Sequence, residues 1–415
     1  MRRRLFPENF YWGAGTAAHQ VEGGLNNDWT EWEKSASRIK SLKSSIKSGE
    51  FRRTLPAHLW EKWPTPDDIE NYISGRACDS YNRFREDFDI AKSLGHNAHR
   101  LSVEWSRIEP EEGKFDEKEI EHYREVIGAL RERGIEPFVT LWWWPIPLWL
   151  RDKGGWESSK VVQYFSRYIE HTAGRLKDLV TFWITINEPE IYVSASYRHG
   201  FFPPHKKSFV SRLVVTVNLV AAHKQAYKAI HAIAPASQVG IANNTTYFEP
   251  GTEGFCSWNK FWNLWFLNQI RNNQDFIGLN YYFHKRIPRA KSEEDLELSD
   301  MGWEIYPPGI YHVLKDLAAY QKPIYITENG VADARDSVRG KYLKEHLYWV
   351  LRAIEEGVDV RGYLHWALLD NFEWDKGFWP RLGLVEMDYR TLERKIRSSA
   401  LMYKKIAETN SLELP

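Results

Sequence analysis

Short runs of β-branched and aromatic residues recur along the chain, and most are followed by a stretch whose apolar positions repeat with helical spacing. Eight runs predict strands at 11–17, 98–103, 137–141, 181–186, 239–243, 276–280, 324–327 and 362–367. Between them, segments such as 81–94, 117–133, 160–176, 212–233 and 341–356 carry helical periodicity with charged faces. Gly95, Gly134 and Gly357 stand where helices should end, a place glycine takes because positive φ costs it little. Strand alternating with helix predicts a parallel sheet. Eight such units predict an α/β fold closed into a (β/α)8 TIM barrel, a single domain over 1–415 with long loops at the C-terminal face of the strands. A doubly wound open sheet is the alternative, but no Gly-x-Gly-x-x-Gly turn follows a strand, so nucleotide binding lacks its usual support.

Two segments depart from this rhythm. Residues 34–62 carry Lys34, Arg38, Lys40, Lys43, Lys47, Arg52, Arg53 and Lys62 against Glu50 and Glu61. They are expected to form an excursion over the barrel top with a solvated basic face, a membrane-surface or partner contact being the other reading. Residues 289–300 read as a charged, exposed loop.

Composition narrows the function. Lys+Arg and Asp+Glu both number 56, so the formal charge is zero and nothing favours a nucleic-acid binder. Cys78 and Cys256 are the two cysteines, which excludes a disulfide framework and suggests a reducing compartment. The basic residues at 2–4 lead into no apolar signal stretch, and residues 139–150 are too short and too broken by proline to span a bilayer, so a cytoplasmic protein is expected. The 20 Trp, 21 Tyr and 20 Phe supply flat apolar surface with polar tips, suited to a ligand bearing both apolar faces and hydroxyls.

Candidate chemistry belongs at the C-terminal ends of the strands. Those ends hold Gln20, Glu22, Arg100, Trp143, Asn187, Glu188, Asn243, Tyr282, Glu328 and Trp366. Two isolated glutamates, Glu188 in Asn-Glu-Pro and Glu328 in Thr-Glu-Asn-Gly, follow strands four and seven. Glycosidic bond cleavage needs such a pair, one carboxyl to protonate the leaving oxygen and one to attack or stabilise the oxocarbenium-like transition state.

The flanking motifs are FYWGAGTAAHQVEG (10–23), DSYNRFREDFDIAKSLGHNAHRLSVEWSRIEP (79–110), GIEPFVTL (134–141), WITINEP (183–189), DFIGLNYY (275–282), PIYITENG (323–330) and WALLDNFEWDKGF (366–378). In this order and spacing the chain resembles glycoside hydrolase family 1, the retaining β-glycosidases, over essentially its whole length. The resemblance implies Glu188 as acid/base and Glu328 as nucleophile, with Arg100 and Tyr282 supporting the nucleophile. It implies sugar contacts from Gln20, Asn187, Glu373 and Trp374, and a floor for the pyranose ring from Trp366. Glu373 stands where the 6-phosphoglycosidase branch usually carries Ser, which implies an unphosphorylated sugar. Glu188 itself separates the chain from the thioglucosidase branch, which carries Gln there.

Three departures qualify the resemblance. Trp143 occupies the place of a histidine that donates to the sugar 3-hydroxyl; an indole can donate one hydrogen bond but accept none, so relaxed glycone discrimination is expected. Leu382 replaces a frequent aromatic, and the connection between 243 and 275 is short. Trp142, Trp143, Trp144 and Trp149, with Pro145 and Pro147, suggest an apolar aglycone site or barrel core. The expected activity is an exo-acting retaining β-glycosidase of β-glucosidase type acting on a small-molecule β-glycoside, without cofactor or metal. A β-mannosidase or β-galactosidase on the same scaffold, or a non-catalytic sugar-binding barrel, are the alternatives. Oligomeric state is not legible.

Overall fold

The computed structural model describes residues 2–249, 263–282, 284–285 and 296–414. Eight parallel strands close a barrel in chain order: β1 Tyr11–Gly15, β2 Ala98–Ser102, β3 Glu136–Thr140, β4 Phe182–Asn187, β5 Gln238–Asn244, β6 Ile277–Asn280, β7 Ile324–Asn329 and β8 Val360–His365. Each of the eight runs supplies one strand, so the barrel stands and the open sheet does not. The bounds move at the rim. β1 ends at Gly15 because the one-turn helix Ala18–Val21 redirects the chain, and β8 leaves the sheet before Trp366.

Around the strands run α1 Ala36–Ser48, α2 Ser80–Ser93, α3 Glu117–Glu132, α4 Val161–Leu176, α5 Phe209–Ile233, α6 Pro308–Leu317, α7 Arg339–Glu355 and α8 Ser398–Thr409. The local logic is clear in α3. Asp116 caps it by accepting from the Lys118 amide, Glu117 and Glu119 sit at the positive end of its dipole, and Ile120, Tyr123, Ile127 and Leu130 face the barrel. Gly95, Gly134 and Gly357 take φ of 75°, 64° and 87°, ending α2, α3 and α7 as expected.

The interior is layered. At the bottom, Tyr11, Phe138, Phe182, Phe276 and Tyr325 fill the barrel with Ala98, Ile184, Ala242 and Leu364. The Phe138 and Phe182 rings stack at 4.3 Å. Arg100 shares strand parity with Ala98, two residues on, and therefore points up the same interior above this plug. Aromatic closure below and polar side chains above make a pocket that opens at one end.

The basic excursion is largely helix α1. Ser35 caps it and Leu42 alone is buried, while Lys34, Lys40, Lys43 and Lys47 are exposed, the solvated face expected of it. Arg38 differs: it lies over Trp32 at 4.5 Å and donates to the Asp375 carbonyl at 2.6 Å. The charged face expected for 212–233 is not what α5 presents at its start, where Phe209, Val210, Leu213, Val214 and Val217 are exposed. Residues 289–295, Cys256 and the middle of the 243–275 connection lie outside the described residues. Cys78 is a buried thiol bonded to the Asp370 carbonyl. Among the described residues, no helix is long and apolar enough to cross a membrane.

Candidate active site

Two strand ends are irregular, and these are the ones that carry the glutamates. The pairing of β4 with β5 shifts register between Ile184 and Asn187, and that of β7 with β6 between Ile326 and Glu328. Such bulges re-aim side chains at a barrel rim. Glu188 then takes a left-handed φ of 44° as the residue before the helix Pro189–Val193. Both carboxyls are thereby turned over the barrel axis and almost fully buried.

Asn280, at the end of β6, joins them. Its single amide nitrogen donates to Glu188 Oε1 at 2.8 Å and to Glu328 Oε1 at 2.7 Å. The facing oxygens can be no farther apart than those two bonds laid end to end, which fits the roughly 5–5.5 Å of a retaining pair and not the roughly 6.5–9.5 Å of an inverting one.

The surroundings of the two carboxyls differ. Glu328 accepts from Arg100 Nη1 at 2.6 Å and from the Tyr282 hydroxyl at 2.5 Å. Arg100 is itself held by Thr140 Oγ1 at 3.1 Å, by Asn187 Oδ1 at 2.7 Å and by the Trp143 ring, 3.9 Å below its guanidinium carbon. Among the described residues, Glu188 has only amides, from Asn280 and from Asn244 at 3.0 Å.

These differences divide the charge. Burial, and then the neighbouring charge of Glu328, push Glu188 up to about 8. Burial raises Glu328 too, and Arg100, Tyr282 and Asn280 oppose it. Glu188 is thus the carboxyl better suited to hold a proton, and Glu328, beside Arg100 and Tyr282, the one better suited to carry charge. Desolvation, ahead of the like charge of Glu328, is the larger cause at Glu188. Arg100 favours the ionised form of Glu328 but does not outweigh burial. Burial, with Glu328 and Glu188 adding to it, holds Tyr282 well above the ordinary phenol range, so it remains a donor.

A cavity of about 320 Å³ opens over this pair, lined among others by Trp143, Trp144, Asn187, Glu188, Tyr282, Glu328, Trp366, Glu373, Trp374 and Leu382. Trp143 and Trp366 form one wall, their rings 5.2 Å apart. Trp374 stacks nearly parallel to His19 at 5.5 Å, and His19 is pinned by Glu33 at 3.0 Å. Burial first, then the charges of Glu328, Asp375 and Glu188, push Glu373 up to about 8. Lys376 lines the same cavity and pairs with Asp375 at 3.5 Å.

Not every expected residue reaches the cavity. Gln20 is fully buried behind it, where its amide donates to the Phe372 carbonyl at 2.8 Å and to Glu373 Oε2 at 3.3 Å, and its Oε1 has no partner among the described residues. Asn243 is turned into the wall toward Thr245, and Asn244 reaches Glu188 instead. Glu22 pairs with Arg107 and Tyr123. Of the four clustered tryptophans, Trp142 packs on Trp156 and Tyr192, and Trp149 packs on Trp105 and Tyr164; only Trp143 and Trp144 line the cavity. The buried Trp143 N–H has no partner among the described residues.

Asn280 and Asn244 were missed by the sequence reading. Asn280 lies inside the DFIGLNYY motif, and its place at the end of a strand was the available signal. Asn244 carries none beyond its strand-end position.

Comparison with known proteins agrees with this geometry. The family model for glycosyl hydrolase family 1 matches residues 2–259 and 265–412. Beta-glucosidase A of Thermotoga maritima is 33% identical, covering 100% of both chains. A beta-galactosidase of Sulfolobus acidocaldarius is 32% identical over 98% of this chain and 96% of its own. The solved beta-glycosidase from Pyrococcus horikoshii superposes with a TM-score of 0.83 at 34% identity, covering 100% of this chain and 97% of that one. With family model, full-length relatives and barrel in agreement, the chain belongs to glycosyl hydrolase family 1 and is a retaining glycoside hydrolase.

Proposed function

We propose that this β-glycosidase is an exo-acting enzyme of β-glucosidase type with broad glycone tolerance, and that Glu328 is its nucleophile and Glu188 its acid/base. The observation that carries the assignment is the asymmetry of the bridged pair. Glu328 is held by Arg100 and Tyr282, while Glu188 has neutral amides alone among the described residues.

In the first step an oxygen of Glu328 attacks the anomeric carbon. The C–O bond to the aglycone breaks, and Glu188 passes its proton to the leaving oxygen. Esterification neutralises Glu328 and removes the like charge that helps raise Glu188, so Glu188 becomes the base that takes a proton from water in the second step. Water attacks the same carbon, Glu328 leaves as carboxylate, and the product keeps the β configuration.

Asn187, Glu373 and Trp374 are suited to the sugar hydroxyls and Trp366 to the ring face. Gln20 acts on the sugar through Glu373, to whose Oε2 its amide donates. Outward of the pair, Ile191, Ala195, Phe201, Phe202, Met301 and Trp303 make an apolar lining that suits alkyl or aryl aglycones. The unpaired Trp143 N–H in place of a histidine favours a second reading, comparable activity on β-galactosides or β-mannosides. Glu373, with Lys376 already paired to Asp375, argues against a sugar phosphate.

Rates on nitrophenyl β-glucoside, β-galactoside, β-mannoside and 6-phospho-β-glucoside test both readings. The first should be fastest, the next two within about tenfold to a hundredfold of it, and the phosphorylated sugar inert. Preference for the phosphorylated sugar would overturn the assignment. A flat series of alkyl β-glucosides of increasing length would remove the apolar aglycone site.

A further inference from the structure

Barrel helices normally turn charge outward. On α3 the exposed positions are Glu117, Lys118, Glu121, Glu125 and Glu132. The first turns of α5 do the reverse. Phe209, Val210, Leu213 and Val217 are 67%, 69%, 53% and 60% exposed, with Val214 beside them, and their spacing puts all five on one helix face. Phe201, 60% exposed, stands on the segment leading into the helix and also lines the active-site cavity. The apolar face is therefore continuous with the mouth. Isolated exposed apolar residues are ordinary; a contiguous set marks an interaction site.

Cations border the same mouth. The start of α1 and the segment leading to α5 share a groove lined by Trp32, Ser35, Pro203 and His205, with the Trp32 and His205 rings 5.0 Å apart. Arg38 ties α1 to Asp375 on the cavity rim. Lys34, Lys40, Lys43 and Lys47 are exposed, residues 34–49 contain no acid, and no described carboxylate pairs with these four. Phe, Leu and Val flanked by unpaired lysines match the chemistry of an anionic lipid interface. A second copy fits less well, because two-fold contact at this rim would set the lysines against one another and obstruct both mouths.

We propose that this rim docks on an anionic lipid bilayer, with the apolar face of α5 and Phe201 entering the interface, the lysines of α1 over anionic headgroups, and the cavity mouth opening at the bilayer. Docking stands independently of the glycone assignment, and its readout is binding rather than hydrolysis.

The test is flotation of the full chain with phosphatidylcholine vesicles, with and without about a third phosphatidylglycerol, at low and high salt. Wild type should float with the anionic vesicles, more at low salt. Val210→Asp with Val217→Asp should cut the bound fraction about tenfold or more, and Lys40→Glu with Lys43→Glu should remove the phosphatidylglycerol-dependent part. Both variants should keep the wild-type melting temperature and rate on a soluble nitrophenyl glycoside. Absence of flotation by wild type would overturn the proposal. So would self-association of wild type that the α5 variant abolishes, which assigns the face to a second copy, or a lowered melting temperature of that variant, which assigns it to packing within the chain. A chain inert on every glycoside that still floats would sink the catalytic reading and leave this one intact.

Discussion

At the scale of residues, the chemistry turns on how unequal environments divide one proton between two glutamates. Since the acid must be protonated for the first step, kcat/KM should fall as pH rises through about 8, the value to which burial and Glu328 push Glu188. A pH profile on an aryl β-glycoside checks this, and a basic limb below about pH 6 would contradict it. Tyr282→Phe removes one hydrogen bond to the ionised Glu328. A bond to a charged group contributes about 1.5–3 kcal/mol, so kcat should drop roughly 10- to 100-fold with KM little changed. An unaltered kcat would show that Arg100 alone positions the nucleophile. The glutamates, Arg100 and Tyr282 were legible because their flanking motifs are distinctive. Asn280 was not, since one amide serving two carboxyls is a relation among three strands that no single stretch of sequence displays. Gln20 was legible as a residue but not in its place, because only the packed structure puts it behind Glu373.

At the scale of elements, the rim depends on close approaches that leave no room for a side chain. A Cβ on Gly330, just after β7, would lie 1.9 Å from the Trp366 carbonyl oxygen, a backbone atom that cannot step aside. Gly330→Ala should therefore push β7 and β8 apart at the level of Glu328 and Trp366. It should cost about 1–3 kcal/mol of stability, the usual range for overpacking, and lower activity beyond what the lost stability explains. Denaturant melts and rates on the folded fraction measure the two effects separately; a variant wild-type in both would mean the rim relaxes freely. Helix and strand periods gave every barrel strand, but not the bulges of β4 and β7, which follow from closing the barrel. They also assigned α5 a charged outer face, because helical spacing shows which positions share a face and not whether something covers it.

At the scale of the whole molecule, burying so many acids sets how stability depends on pH. Burial raises Glu22 and Asp28 to about 7, and Glu188, Glu190 and Glu373 to about 8. A carboxyl with a raised folded-state pKa binds its proton more tightly in the native chain. Its contribution is complete below the ordinary carboxyl range and is lost as pH rises toward about 8. Asp333, Asp336 and Asp370 are shifted down and work in the opposite sense, losing their contribution only in acid. The buried histidines His96, His99, His223, His346 and His365 are shifted down by burial and oppose the raised acids until the pH passes the ordinary imidazole value, so the melting temperature should fall between about pH 7 and pH 9, which thermal melts at constant ionic strength would show; a rise across that range would refute the sign assigned to the acids. The barrel was the most legible level of all, because eight repeats of one βα period overdetermine it. The basic excursion was legible in charge and solvation, but its bordering of the mouth emerges only when Arg38 is seen to reach Asp375.

The central claim, that Glu328 attacks and Glu188 shuttles the proton, is tested most directly by Glu328→Ala assayed on an aryl β-glucoside with and without azide. The account predicts a variant slower by several orders of magnitude whose turnover azide restores, giving the inverted α-glycosyl azide, because the anion enters the space vacated by the carboxylate. A variant that hydrolyses the substrate at the wild-type rate, or an azide product of β configuration, would contradict it.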